Sequence, residues 1–541
     1  MEKSGYGKDG IFRSLRPPLR LPKDENTDMV SFMFRDSSSY AHRLALADAD
    51  SGEKLSFREF KDKVSLVGSG LSQLGIRKGD VVLLFSPNSI YFPLCFFGIV
   101  SIGAVATTVN PLYTAMEVAK QVRDSKPKLI ITVPELWNKV EGLNLPAVVI
   151  GGDGCHKRLP TSPFISFSEV LTMGAQKNPP DVIIKQTDTA ALFYSSGTTG
   201  INKGVVLNHR NFVAAALMMT SDQELKGERH LTFLCLLPMF HIYGLGFGAY
   251  GQLQRGNAVV SMGKFTFVRM LEVIQEYKIT HLPLVPPIVI AVAKENIVAR
   301  YDLSSLKKVM SGAAPLGKDI MEECAKRIPQ AAVTQGYGLT ESCGIATITF
   351  PKERNSHFGS AGTLVPGLEA KIVNLETGRS LPPNQSGEVW LRGPNIMTGY
   401  FNNPNATKMT LDKEGWLHTG DMGYFDDEGG LFIVDRIKEL IKYKGFQVPP
   451  AELEGLLLTH PQIVDAGVIP LPDLNAGEVP IAYVVRTPGS SLTEKDVMAY
   501  VAKQVAPFKR LHRINFVDSI PKSSSGKILR RELIAKTKSK L

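Results

Sequence analysis

The feature that most restricts this chain is an alternation of short apolar runs with stretches of helical length. VVLLFS (81–86), LIITV (129–133), AVVIGG (147–152), TFLCLLP (232–238) and THLPLVPP (280–287) recur between candidate helices such as 89–104. Runs this short and this apolar suit strands buried on both faces. The expected fold is therefore α/β, a large unit of mixed or parallel sheets flanked by helices. Beyond about residue 365 the texture changes. GLEAKIVN (367–374), SGEVWLRG (386–393) and GLFIVDR (430–436) alternate on a short scale between Gly, Asn and Pro, which predicts a β-rich subdomain over about 365–436. After Arg436 a smaller α+β pattern begins: AELEGLLLTH and LTEKDVMAYVAKQV as helices, DAGVIPLP, IAYVVR and INFVDSI as strands. A boundary falls at 435–438, giving a large unit 1–436 and a small, mobile unit 437–541.

With 541 residues, 43% of them hydrophobic, the chain has ample core, and disorder or a fibrous fold is excluded. Its five cysteines include no pair at zinc-ligand spacing, and they are too few for a disulfide scaffold. The longest uncharged run, residues 81–116, contains Pro87, Pro93 and Pro111, so no spanning helix is expected. The first residues carry charge and proline where a secretory signal needs an apolar run.

The net charge of +10 is concentrated at one end. From Val501 to Leu541 eleven Lys/Arg face two acids, a net +9. Only Phe508 and Phe516 are aromatic there, and no nucleic-acid-binding motif accompanies them, so no nucleic-acid partner is expected. Two readings remain open at this point: a solvated basic face, or a cationic lid over a polyanionic small molecule.

The strongest local signal is YSSGTTGINKG (194–204), after the strand-like AALFY. Its glycines let backbone N–H groups approach an anion, its hydroxyls add donors, and Lys203 adds a point charge. This is phosphate-handling chemistry without the Walker spacing. By contrast, Gly5-Tyr-Gly7-Lys-Asp-Gly10 satisfies a dinucleotide pattern but lacks a preceding strand, and is discarded. Further along stand SGAAP (311–315), QGYGLTE (335–341), WLHTGD (416–421), DRIKELIKYKGFQ (435–447) and PKSSSGK (521–527), each weak alone.

In this order and spacing the motifs resemble the adenylate-forming superfamily of acyl-CoA synthetases, firefly luciferase and peptide-synthetase adenylation domains, over about residues 30–535. GFQVPPAELEG (445–455) and PMFHIYGL (238–245) are most similar to plant 4-coumarate–CoA ligases and their peroxisomal relatives. The resemblance implies a two-step reaction: a carboxylate attacks ATP to give acyl-AMP and pyrophosphate, and CoA then displaces AMP. It implies that Ser195, Ser196, Gly197, Thr198, Thr199, Gly200 and Lys203 grip the β/γ-phosphates. Mg²⁺ would sit near Thr340 and Glu341, a hydroxyl and a hard oxygen ligand. Ala313, Gln335, Gly336 and Tyr337 would line the adenine and phosphate region, with Asp421, Arg436 and Lys438 at the ribose and boundary. Lys527 would bridge carboxylate and phosphate, and His241 would close the acyl site. Lys442 and Gln447 would meet the adenylate in their turn, while Lys264, Lys444 and Gly445 would contact CoA. Tyr243 and Phe247, with His241, Ala313 and Gly336, would shape the acyl pocket.

This chain departs from the family's pattern at Ile201-Asn202-Lys203, where a proline usually precedes the lysine, and at Phe247, where coumarate ligases carry a small residue. The bulky ring points to a more lipophilic acid. Ser539-Lys540-Leu541 reads as a peroxisomal address recognised by an import receptor. Two other readings compete with the ligase: luciferase-like oxidation of the adenylate, which oxygen uptake with light would reveal, and a non-catalytic nucleotide or nucleic-acid binder, which salt-sensitive DNA retention by the tail would reveal.

Overall fold

The computed structural model describes residues 3–151, 164–177, 180–195, 203–349, 358–523 and 526–538. Among them the alternating runs become two large sheets. One, of eight strands, has Val81–Phe85 at its centre, between Val105–Thr108 and Leu129–Thr132, all parallel. The other, of nine, stacks Thr232–Cys235, His281–Leu284, Lys308–Ser311 and Ala332–Tyr337 in parallel. Antiparallel pairs occur at the ends of both. The central strands are nearly inaccessible to solvent on both faces, as their continuous apolar character requires. Helices start where the sequence supplies caps. Ser56 and Glu59 cap Phe57–Gln73 reciprocally, and Thr114 and Glu117 do the same for Ala115–Ser125.

The third sheet is antiparallel and joins Glu369–Val373, Gly387–Arg392, Leu417–Phe425 and Leu431–Arg436. Its edge carries a strand that the polar N-terminus did not advertise. Phe12–Arg13 pairs with Glu369 and Ala370, and the buried Phe12 ring stacks on Phe425 at 4.4 Å. One aromatic residue therefore ties residues 12 and 425 together across the chain.

The last sheet is built from Ile441–Tyr443, Phe446–Val448, Ile463–Asp473 and Gly477–Arg486, with Arg513–Phe516 parallel to the last of these. It has its own core around Ile441, Leu453, Val468 and Val484. Three cations of the basic tail are ion-paired within this body. Lys509 pairs with Glu452 and Lys522 with Asp465, both at 2.6 Å. Arg530 grips both oxygens of Glu454 at 2.8 and 2.9 Å and also pairs with Glu439. Of these cations Arg530 is held by a buried carboxylate, Glu454, to which no sequence signal linked it, while Lys503, Arg510, Arg531 and Lys536 remain exposed.

Candidate active site

A cleft of about 1780 Å³ opens among these sheets. It is lined by Ser195, Lys203, His241, Tyr243, Phe247, Ala313, Gln335, Gly336, Tyr337, Thr340, Glu341, Arg436, Lys438 and Lys527. Residues separated by more than 300 positions in the chain thus share one cavity.

One corner is set by sheet register. Asp421 and Arg436 are directly opposite on adjacent antiparallel strands, and Arg436 Nε lies 3.2 Å from Asp421 Oδ1. Tyr337, at the end of its strand, donates its hydroxyl to Asp421 Oδ2 at 2.6 Å. Burial pushes the Asp421 carboxyl up from its ordinary value, while Arg436, the Tyr337 bond and Lys527 oppose that shift. The pair of bonds fixes the Tyr337 ring and leaves further lone pairs on each carboxylate oxygen for a diol.

A second corner centres on Glu341, in the short helical turn Thr340–Ser342. Its Oε1 accepts from Ser195 Oγ at 3.1 Å and from the Tyr400 hydroxyl at 2.9 Å. Lys203 opens the strand Lys203–Asn208, which returns antiparallel to Thr189–Ser195, and its Nζ stands 4.8 Å over the Tyr400 ring. The phosphate-loop candidate is thus flanked by a strand on each side, with no helix N-terminus following it. Ser196, Gly197, Thr198, Thr199 and Gly200 themselves lie outside the described residues. Both bonds to Glu341 fall on Oε1, which leaves Oε2 for a hard cation. No cluster of three or more His, Cys, Asp or Glu able to hold a metal occurs among the described residues. This donor set fits Mg²⁺ that arrives with phosphate oxygens and needs few protein ligands.

The apolar end is built around Tyr243–Tyr250, a π-helical segment of the kind that often marks functional sites. His241 just precedes it. Its Nδ1 accepts from the Tyr243 N–H at 3.2 Å, which places the proton of the neutral ring on Nε2. Burial, with the nearby Lys527 cation, lowers its pKa to about 3, so the imidazole is neutral at physiological pH. The Tyr243 ring lies 5.6 Å from that of Phe247 and crowds Gly312, where a Cβ would come within 2.8 Å of the phenol. Next to it Ala313 holds a left-handed φ of 71°, a strain tolerated because the loop is pinned. The pin is Gln335: its amide exchanges bonds of 2.8 and 3.1 Å with the Leu316 backbone. Gln335 therefore shapes this wall of the cleft through the 312–316 loop, with its amide already committed.

Lys527 enters from the opposite side. Gly526 takes a φ of 80°, and Ser523 closes the turn by accepting the Lys527 N–H at 3.1 Å. Burial by the cleft walls, then repulsion from Arg436, lowers the lysine pKa, with Asp421 and Glu341 resisting. The side chain remains in contact with the cleft's solvent. The lysine lines the cleft but is itself exposed to solvent.

The other proposed arm is elsewhere. Lys442 and Gln447 face each other across the hairpin of Ile441–Tyr443 and Phe446–Val448, and both are exposed. Lys444 and Gly445 form its turn, with φ of 46° and 83°. None of these four lines the cleft, nor does exposed Lys264, whose N–H bonds Asp50. Sequence reasoning also missed Tyr400, which orients Glu341 from 59 positions away and belongs to no motif.

Two sheets of doubly wound type, an antiparallel third sheet and a small α+β body around one cleft define the adenylate-forming fold. An anthranilate–CoA ligase solved with anthranoyl-AMP superimposes with a TM-score of 0.86 at 26% identity, covering 96% of this chain and 99% of that one. ATP-bound MatB from Rhodopseudomonas palustris gives 0.83 at 26%, covering 94% and 99%. Models of the AMP-binding enzyme family and of its C-terminal domain match residues 33–401 and 452–527. In sequence, the probable CoA ligase CCL5 of Humulus lupulus is 50% identical, over 100% of this chain and 98% of that protein. Peroxisomal OPC-8:0-CoA ligase 1 of Arabidopsis thaliana is 47% identical, over 98% and 97%. The chain belongs to the AMP-binding enzyme family.

Proposed function

We propose that this chain is an ATP-dependent carboxylate–CoA ligase. The observation that carries the reading is the Lys527 ammonium in the same cleft as the Tyr337–Asp421–Arg436 corner and Glu341. In the first half-reaction a carboxylate oxygen attacks the α-phosphorus of ATP, the α–β bridging P–O bond breaks, and pyrophosphate leaves. Two anions must approach, so fixed cations and donors where charge accumulates supply the catalysis. Lys527 bridges the carboxylate and the α-phosphate, Lys203 and Ser195 hold the outer phosphates, and Asp421 accepts the ribose hydroxyls. Glu341 and Thr340 would hold Mg²⁺, which when bound would neutralise charge on phosphate oxygens. Neutral His241 closes the acyl site without adding charge beside the substrate carboxylate. In the second half-reaction the CoA sulfur attacks the acyl carbon and AMP departs.

The second half-reaction draws on Lys442, Gln447, Lys444, Gly445 and Lys264, which stand outside the cleft in this pose. A small unit 437–541 that swings about 435–438 presents Lys527 first and the 442–447 hairpin second. Phe247 and Tyr243 narrow the acyl end with apolar surface, which favours a lipophilic acid over 4-coumarate. Likeness to a peroxisomal relative and the Ser539–Lys540–Leu541 tripeptide, outside the described residues, support import into peroxisomes by a receptor.

The test is CoA-dependent AMP release with 4-coumarate, cinnamate, fatty acids and a cyclopentanone octanoate. Turnover led by the lipophilic acids, shifting by about tenfold towards coumarate in Phe247→Ala, is expected. Silence on every acid while ATP still binds would sink the ligase reading.

A further inference from the structure

One helix of the large unit serves as the seat for the small one. Pro286–Lys294 follows the strand His281–Leu284, with Val285 between them. Val285 meets the segment that carries Lys527: a Cβ built on Gly526 would lie 3.1 Å from Val285 Cβ and Cγ2. At the other end of the helix, Lys294 Nζ donates to Leu458 O at 2.8 Å. Leu458 is the last residue of Pro450–Leu458 and packs against the hydrophobic cluster of the nine-stranded sheet. The first turn of that same helix is held as well, because Asp435 Oδ2 accepts the Ala451 N–H at 2.8 Å. Pro450–Leu458 is therefore gripped at both termini by residues that precede Arg436.

The Lys294 contact has a specific electrostatic logic. Pro450–Leu458 ends at this carbonyl, where a helix leaves orphan C=O groups and its negative pole, and the Lys294 ammonium reaches it. A cation there satisfies the carbonyl and complements the negative pole. A neutral side chain of similar length would leave both unmet, whereas the fold of each helix would not depend on the bond.

We infer that Lys294 is a positioning residue for adenylate formation: it holds the small unit in the pose that puts Lys527 into the cleft. The bond to Leu458 must part before the 442–447 hairpin can replace Lys527. The inference rests on the ligase reading above. It predicts a split between the half-reactions, which a merely structural lysine would not produce.

The experiment compares the full-length wild type with Lys294→Met and Lys294→Arg. Acid-dependent ATP–pyrophosphate exchange reports the first step, and CoA thioester formation from supplied acyl-adenylate reports the second. Lys294→Met should lower exchange about tenfold while thioester formation holds or rises, and Lys294→Arg should restore exchange. Equal losses in both steps, or no loss of exchange in Lys294→Met, would overturn the assignment. Wild-type protein that shows no exchange with any acid would instead defeat the ligase reading, so the two failures are distinguishable.

Discussion

Lys527 and Lys442 belong to the same small body, yet their surroundings differ in kind. Lys527 stands among Arg436, Asp421 and Glu341, with its pKa depressed by burial in the cleft and by Arg436. Lys442 lies on an exposed hairpin, its backbone N–H bonded to Glu478, outside the cleft altogether. One rigid arrangement of these sheets cannot bring both to the same atoms. On the ligase reading this pose serves one half-reaction, and charge alone does not identify a working lysine.

The sharpest way to break that comparison is to remove each lysine. Lys527→Ala should lower acid-dependent ATP–pyrophosphate exchange at least about a hundredfold while leaving ATP binding in place. Thioester formation from supplied acyl-adenylate should persist. Lys442→Ala should give the opposite pattern, sparing exchange and slowing the thioester step. If both variants lost both steps alike, the two arms would not be dedicated.

The legibility of the two regions in the sequence also differs. The apolar runs at 81–86, 129–133 and 232–238 announced the parallel strands because both faces of each are buried, and burial leaves a continuous apolar record. By family resemblance the motifs implied that Asp421, Arg436, Tyr337 and Glu341 share a site; Arg436, Tyr337 and Glu341 line the cleft, and buried Asp421 backs it through its bonds to Tyr337 and Arg436. What stayed hidden were partners without periodicity: Phe12 against Phe425, Tyr400 on Glu341, Gln335 folded back on Leu316. Each depends on two elements meeting in space, and nothing local in the chain marks that. The pose of the hairpin was equally invisible, since its residues would read the same inside the cleft or out.

Protonation sharpens the contrast further. In the proposed mechanism Lys527 works as a cation, and its pKa lies below the 10.5 of an ordinary lysine, so adenylation should lose rate as pH rises through that lowered value. Beyond it, exchange should fall about tenfold per pH unit, and thioester formation from supplied adenylate should lack this alkaline limb. A shared limb would assign the titration elsewhere. His241, with a pKa of about 3, should contribute no acid limb near neutrality.

The ribose corner tests whether the cleft is as preorganised as its bonds suggest. Asp421→Ala removes the acceptor of Tyr337 and the partner of Arg436 together. The KM for ATP should rise about tenfold, with CoA binding unaffected. An unchanged KM would place the ribose elsewhere in the cavity.

The smallest effect expected is at Tyr400. Its hydroxyl is one of two donors to Glu341 Oε1, and its ring lies beneath Lys203 Nζ. Tyr400→Phe keeps the ring and the cation contact but deletes the donor, and Ser195 still holds the carboxylate at 3.1 Å. Exchange should fall only about threefold at saturating magnesium, and more at limiting magnesium, because a looser Glu341 presents Oε2 less well. Titrating magnesium in both proteins separates this from a packing defect, which would lower the rate equally at every concentration. A variant indifferent to magnesium would mean that Glu341 is braced for some task other than the metal.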